Sequence, residues 1–315
     1  MRRRVLLATF IGAALVSLVV PLPALSLELS EYFERAATAE YSGEQVLTCR
    51  TPVGLRDSAA EVAQRDGIIY VSAGVDGAPV ISAGAGFLAA NGPGGAAAKV
   101  EIAAATKPPA GYQLTGVEEL NYLGRSADRV SLATRGETRV RLTFDQATGA
   151  LLRSETLNDD GSVYCTTKLT SFVPGTPRVA GGGEGDVRTL SRVKDFSDTV
   201  FPAKLGGFSR LDVYGWNQVG QMAYYSDGFF AFALYNVKGR FSVDSISEAR
   251  DWEGDLGIYQ RWYRPGTVTL VWDTSAGGMA LHGDLPGDLV EMVLEGLPEP
   301  SRPGFFSRIL SLLGR

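Results

Sequence analysis

The chain has 315 residues, 45% of them hydrophobic and 21% charged, with a formal net charge of -5. That is ordinary globular composition, which excludes a disordered or low-complexity chain, and its length is enough for two domains that each bury a core. An acidic balance offers no basic face for a nucleic-acid partner.

Residues 1–4 are Met-Arg-Arg-Arg, residues 5–20 are apolar, and Pro21-Leu22-Pro23-Ala24-Leu25-Ser26 follows, which is the order of a secretory signal. The apolar run falls short of the roughly 20 residues of a comfortable membrane span. Residues 1–26 therefore read as a signal peptide, with an uncleaved anchor as the alternative. No cysteine stands near the cleavage point, which argues against a lipid-modified lipoprotein. The mature protein is expected in the periplasm or on the extracytoplasmic face of the cell membrane.

At residues 29–39 the apolar positions Leu29, Phe33, Ala36 and Ala37 share one face at helical spacing, which predicts a short amphipathic helix. Period two then takes over. Strands are expected at 41–49, 67–73, 113–121, 128–134, 138–145, 151–157 and 164–172, with turns at Arg135-Gly136, Thr148-Gly149 and Asp160-Gly161. Residues 82–98 are Gly/Ala-rich and lack the Lys-Ser/Thr ending of a phosphate-binding loop, so they read as a flap. Cys49 and Cys165 lie in strand-like segments near the two ends of this first domain, taken as 27–173. In an exported protein such a pair reads as a disulfide, with two buried thiols as the alternative.

Residues 174–192 carry Pro, Gly and charge and read as a linker. The second domain, 193–300, restarts with strands expected at 208–213, 221–226, 229–237, 257–264, 267–273 and 279–283. Leu289, Val290, Val293, Leu294 and Leu297 then recur at helical spacing between Pro286 and Pro298. In the tail, 301–315, the apolar residues from Phe305 onward fall on one side of a helix, suited to a membrane surface or to docking on the protein's own body.

Catalysis leaves little trace. The one histidine, His282, has no second histidine or clustered cysteine to make a zinc site, and no G-x-S-x-G elbow exists. Glu118-Glu119 and Asp159-Asp160 read as solvated faces. No catalytic, cofactor or metal-binding residue is assigned, and no cofactor is expected. Binding surface is better represented: aromatic residues crowd the second domain, and most of them are expected in its core. Tyr225, Phe229 and Phe230, around the Ser226-Asp227-Gly228 turn, are the candidates for holding a partner. Asp-Gly suits a tight hairpin connection. An arginine such as Arg125, after Gly124, needs a carboxylate or carbonyls for its fork of donors.

Several of these segments together resemble the MucB/RseB family of extracytoplasmic regulators. Tyr41-Ser42-Gly43 after the first helix, Gly124-Arg125 opening a meander, and Ser226-Asp227-Gly228 in the second domain carry the resemblance. The final 267–298 segment is similar to the family's end. The resemblance implies an α+β, mainly antiparallel β fold: a LolA-like curved half-barrel over helices around an apolar cavity, then a smaller β-sheet domain with a C-terminal helix. It implies a non-enzymatic protein that binds the external segment of a membrane-bound anti-sigma factor, shields it from regulated proteolysis, and senses a lipid-type ligand in the half-barrel. A lipid or lipoprotein carrier of the same fold is the alternative. Residues 53–110 match no part of the pattern and are expected to hold most of the cavity-lining and lid residues.

Overall fold

The computed structural model describes residues 27–51, 54–73, 99–178, 191–192, 196–216, 220–239, 250–254, 256–264 and 267–301. The signal at 1–26, the flap at 82–98, residues 179–190 of the linker and the tail from 302 lie outside the described residues. No helix among those described is long and apolar enough to cross a membrane.

The first helix, α1 (Leu29–Thr38), starts at a capping box between Glu28 and Glu31 and buries Tyr32, Phe33 and Ala37. It lies against an antiparallel sheet of ten strands. These are β1 (Tyr41–Thr51), β2 (Gly54–Arg65), β3 (Ile68–Ala73), β4 (Lys99–Ala103), β5 (Gln113–Tyr122), β6 (Arg125–Thr134), β7 (Glu137–Asp145), β8 (Leu151–Leu157), β9 (Val163–Leu169) and the short β10 (Val173–Pro174). Their spatial order is β4-β3-β2-β1-β9-β8-β7-β6-β5, with β10 paired to β1.

This sheet is strongly curved, and hydrogen bonds from α1 require it. Gln64 on β2 donates to the Ala36 carbonyl at 2.5 Å, while Tyr32 donates to Asp128 on β6 at 3.0 Å. On a flat sheet the five strand spacings from β2 to β6 would span about 24 Å, more than twice the diameter of a helix with its side chains. Only a sheet wrapped round the helix brings both strands into reach. At one end the wrap goes further, since the Tyr122 hydroxyl at the tip of β5 donates to the Leu169 carbonyl of β9 at 2.9 Å.

A second antiparallel sheet of nine strands follows. It contains β11 (Ser191–Arg192), β12 (Lys204–Leu205), β13 (Phe208–Trp216), β14 (Gly220–Ser226), β15 (Ala231–Val237), β16 (Arg250–Gly254), β17 (Gly257–Arg264), β18 (Thr267–Thr274) and β19 (Gly277–Gly283), in the order β11-β13-β14-β15-β19-β18-β17-β16, with β12 on β13. The closing helix α2 (Gly287–Leu294) buries Leu289, Val290, Val293 and Leu294. The fold is thus mainly antiparallel β in two sheets, with one helix on each among the described residues.

Six strands are absent from the sequence reading: β2, β4 and β16, and the two-residue β10, β11 and β12. β2 is the long partner of β1, matched residue for residue from Tyr41–Gln64 to Thr51–Gly54. Its Gly-Leu-Arg-Asp-Ser-Ala-Ala composition has no apolar alternation to show it. β4 and β16 are short edge strands. Cys49 and Cys165 stand directly opposite each other on β1 and β9 and are bonded, so the disulfide links the first and last long strands of the first sheet at its middle.

The two sheets share one apolar cluster. Tyr32, Phe33, Leu142 and Phe144 of the first continue into Tyr225, Phe230, Phe232 and Leu281 of the second.

Candidate functional site

Between α1, the concave face of the first sheet and the β14–β15 turn of the second lies a cavity of about 170 Å³. Phe33 and Ala37 of α1, Leu142 and Phe144 of β7, Val71 of β3 and the ring of Phe229 give it an apolar wall. Polar side chains border it as well: Gln45, Ser154, Thr167, Arg153 and Lys168. Gln64 is occupied in holding the end of α1, but the Thr156 hydroxyl and the Arg153 Nε, both on β8, are buried without a hydrogen-bond partner. An unpartnered hydroxyl in such a wall is costly unless a guest supplies its partner.

The turn that closes this cavity is built by Ser226, Asp227 and Gly228. It is a four-residue connection from Ser226 to Ala231, not the tight two-residue one that Asp-Gly suggests. Asp227 Oδ1 accepts from the backbone N–H of Phe229 at 3.0 Å and of Phe230 at 2.9 Å, and the Ser226 hydroxyl both receives the Gly228 N–H and donates to the Phe230 carbonyl. Gly228 sits at φ 103°, and a Cβ there would meet Pro109 at 2.2 Å, so two requirements fix glycine. The second oxygen of Asp227 accepts from the Tyr112 hydroxyl at 2.8 Å, which ties the turn to the first sheet. Burial, then the neighbouring Asp227 charge, push the Tyr112 phenol far above its usual range and keep it a donor.

Further along the seam Arg139, almost fully buried, donates to Asp288 of α2 at 2.7 Å and lies over the Phe230 ring. Arg135 donates to the Gly206 carbonyl at 2.7 Å. Arg135 is legible in the sequence only as a turn residue, and Tyr112, Arg139 and Thr156 do not stand out. Arg139 and Thr156 lie in strands, where a polar residue carries no mark of which side it faces until the register is known.

The other motif residues hold the scaffold. Arg125 meets Asp145 through two hydrogen bonds of 2.8 and 2.9 Å, and Thr148 gives Asp145 its backbone N–H and hydroxyl as well. Burial would raise the Asp145 carboxyl, but these donors outweigh it and hold the group below the usual carboxylate range. Gly43 lets β1 approach the chain after β9, where a Cβ would stand 2.2 Å from the Ser171 carbonyl oxygen. Tyr41 and Ser42 pair with β10.

Two of the partner-binding candidates are corrected by burial. Tyr225 is 0% exposed and stacks on Phe232, and Phe230 is 1% exposed, so neither offers surface. Phe229 is half-buried and faces the cavity, packed edge-on against Tyr112 at 4.6 Å and Phe33 at 6.4 Å. Of residues 53–110, expected to line most of the cavity, 53 and 74–98 lie outside the described residues; the described part supplies Gln64, Ile69, Val71, Ala104 and Ala105 to the wall, beside α1 and β7–β9. His282 on β19 is half-buried and meets the Thr269 hydroxyl at 2.8 Å, and its partial burial lowers its pKa. No cluster of metal-binding side chains occurs among the described residues.

No family model and no curated protein sequence matches the chain. Among solved structures, MucB in complex with MucA(peri) superposes at a TM-score of 0.52 with 18% identity, over 87% of this chain and 99% of that one. The fold is that of MucB. The MucA/MucB complex of Pseudomonas aeruginosa gives 0.47 at 17% identity, over 87% of this chain and 99% of that one. A LolA-superfamily protein from Nitrosomonas europaea gives 0.20 at 8% identity, over 84% and 97%. The MucB likeness covers 87% of this chain and so runs through both sheets.

Proposed function

We propose that the chain is an extracytoplasmic, non-enzymatic regulator that binds the external segment of a membrane-bound anti-sigma factor and shields it from regulated proteolysis in envelope-stress signalling. The observation that carries this reading is the two-sheet likeness to MucB held in a complex with MucA(peri). The order of the three motifs in the sequence supports it independently, as does an export signal that would place the chain beside such a segment. Cells lacking the chain should degrade the anti-sigma factor faster and raise transcription from its sigma factor. Unchanged turnover of the anti-sigma factor would contradict the shielding role.

The cavity favours a second element of the reading. A mainly apolar cavity whose wall also holds the unpartnered Thr156 hydroxyl and Arg153 Nε suits an amphiphile with an acyl chain and a polar head. In the regulator such a ligand is the signal; in the alternative, a lipid or lipoprotein carrier, it is the cargo. Retention of acyl chains by purified protein with no anti-sigma partner would favour the carrier, because fold alone does not set function.

A further inference from the structure

The wall of the cavity is not supplied by the first sheet alone. Among the described residues its one lining segment from the second sheet is the Gly228-Phe229 pair, and Phe229 is the large side chain that this segment brings. The ring is fixed from three directions. Asp227 accepts from its backbone N–H, Tyr112 packs on it edge-on while holding the Asp227 carboxylate, and Phe33 of α1 meets it from the helix side. The backbone beneath has no slack, because Gly228 already lies against Pro109. Phe229 is therefore a rigid stop at the boundary of the cavity, not a side chain free to swing aside. The Thr156 hydroxyl, more than nine-tenths buried and unpartnered, marks the same space as one that receives a polar group.

Resting on the reading of the cavity as a ligand site, we propose that Phe229 determines which ligand enters: it limits the cavity to a short single-chain amphiphile of the fatty-acid type, with Thr156 hydrogen-bonding the ligand's polar group. A chain that ends before Phe229 leaves the turn where it is. A longer chain competes for the volume of the ring, and the ring can yield only with the Asp227 and Tyr112 contacts that tie the sheets together. Ligand length is thus read at the seam.

The test is calorimetric titration of the full chain with decanoate and with hexadecanoate, comparing the unaltered protein with Phe229→Ala, Phe229→Leu and Thr156→Val. The unaltered protein should prefer decanoate. Phe229→Ala should raise the affinity for hexadecanoate relative to decanoate about tenfold, as expected when two or more further methylenes become buried. Phe229→Leu, the milder change, should fall between and guards against a fold defect in the alanine variant. Thr156→Val should weaken both probes by a similar factor. Binding of both probes with a chain-length preference that is the same in all Phe229 variants would overturn the selectivity role and leave the cavity reading standing. Failure of either probe to bind any folded variant would remove the cavity reading and this inference with it.

Discussion

Asp145 shows how much of the motif pattern is scaffold. Its carboxylate, 1% exposed, accepts from Arg125 and Thr148, and so fixes the start of β6 to the end of β7 and the turn beyond it. A buried carboxylate with its donors removed is strongly destabilising, so Arg125→Ala should cost about 3 kcal/mol near neutral pH, read from urea midpoints. The pH dependence follows from the depressed native pKa. The contribution is complete above the unfolded carboxylate value of about 4 and is lost as pH falls through the lower native value. The stability gap between the unaltered protein and Asp145→Asn should therefore be constant down to about pH 5 and narrow below pH 4. A gap that widens in acid would contradict the assignment. Arg125 is legible in the sequence as an arginine in want of an acceptor, but its acceptor is 20 residues away, and only the β6–β7 register names it.

At the scale of elements, α1 is the peg round which the first sheet wraps. Its ring contacts with β7 are specific, Phe33 and Tyr32 both meeting Phe144. Phe33→Ala should cost about 3–5 kcal/mol by thermal or chemical unfolding and enlarge the cavity, since the neighbouring rings are fixed and cannot collapse into the space. The disulfide acts at the middle of the sheet, closing a loop with a sequence separation of 116 between paired strands. Replacing Cys49 and Cys165 together with alanine should lower stability by about 2–4 kcal/mol, and an unchanged midpoint would mean that the β1–β9 pairing confines the unfolded chain little. β1, β3, β5 to β9, β13 to β15 and β17 to β19 are visible in the sequence, as are both helices. β2 is not, because a strand whose partner fixes its register needs little apolar pattern of its own. The cavity is the least legible feature: Phe229, Tyr112 and Thr156 are separated by more than a hundred residues at their extremes, and each is ordinary in its own segment.

At the scale of the whole molecule, the seam makes the two sheets one folding unit. Arg139 and Asp288 pair across it beside Phe230, Arg135 reaches the β12–β13 turn, and the apolar cluster continues through. Thermal unfolding should follow one transition by both near- and far-ultraviolet circular dichroism. Two resolved transitions would show that the sheets fold apart. Arg139→Met, which leaves Asp288 without its cation but keeps the stem's packing, should lower the midpoint of that one transition by the equivalent of about 2 kcal/mol.

Crosslinking the tagged protein in its native membrane, with identification of what is captured, separates a binding regulator from a carrier. A regulator should bring down a single-pass membrane protein with a cytoplasmic sigma-binding domain, joined through its external segment. Recovery of lipids or lipoproteins alone would contradict the regulator and leave the carrier.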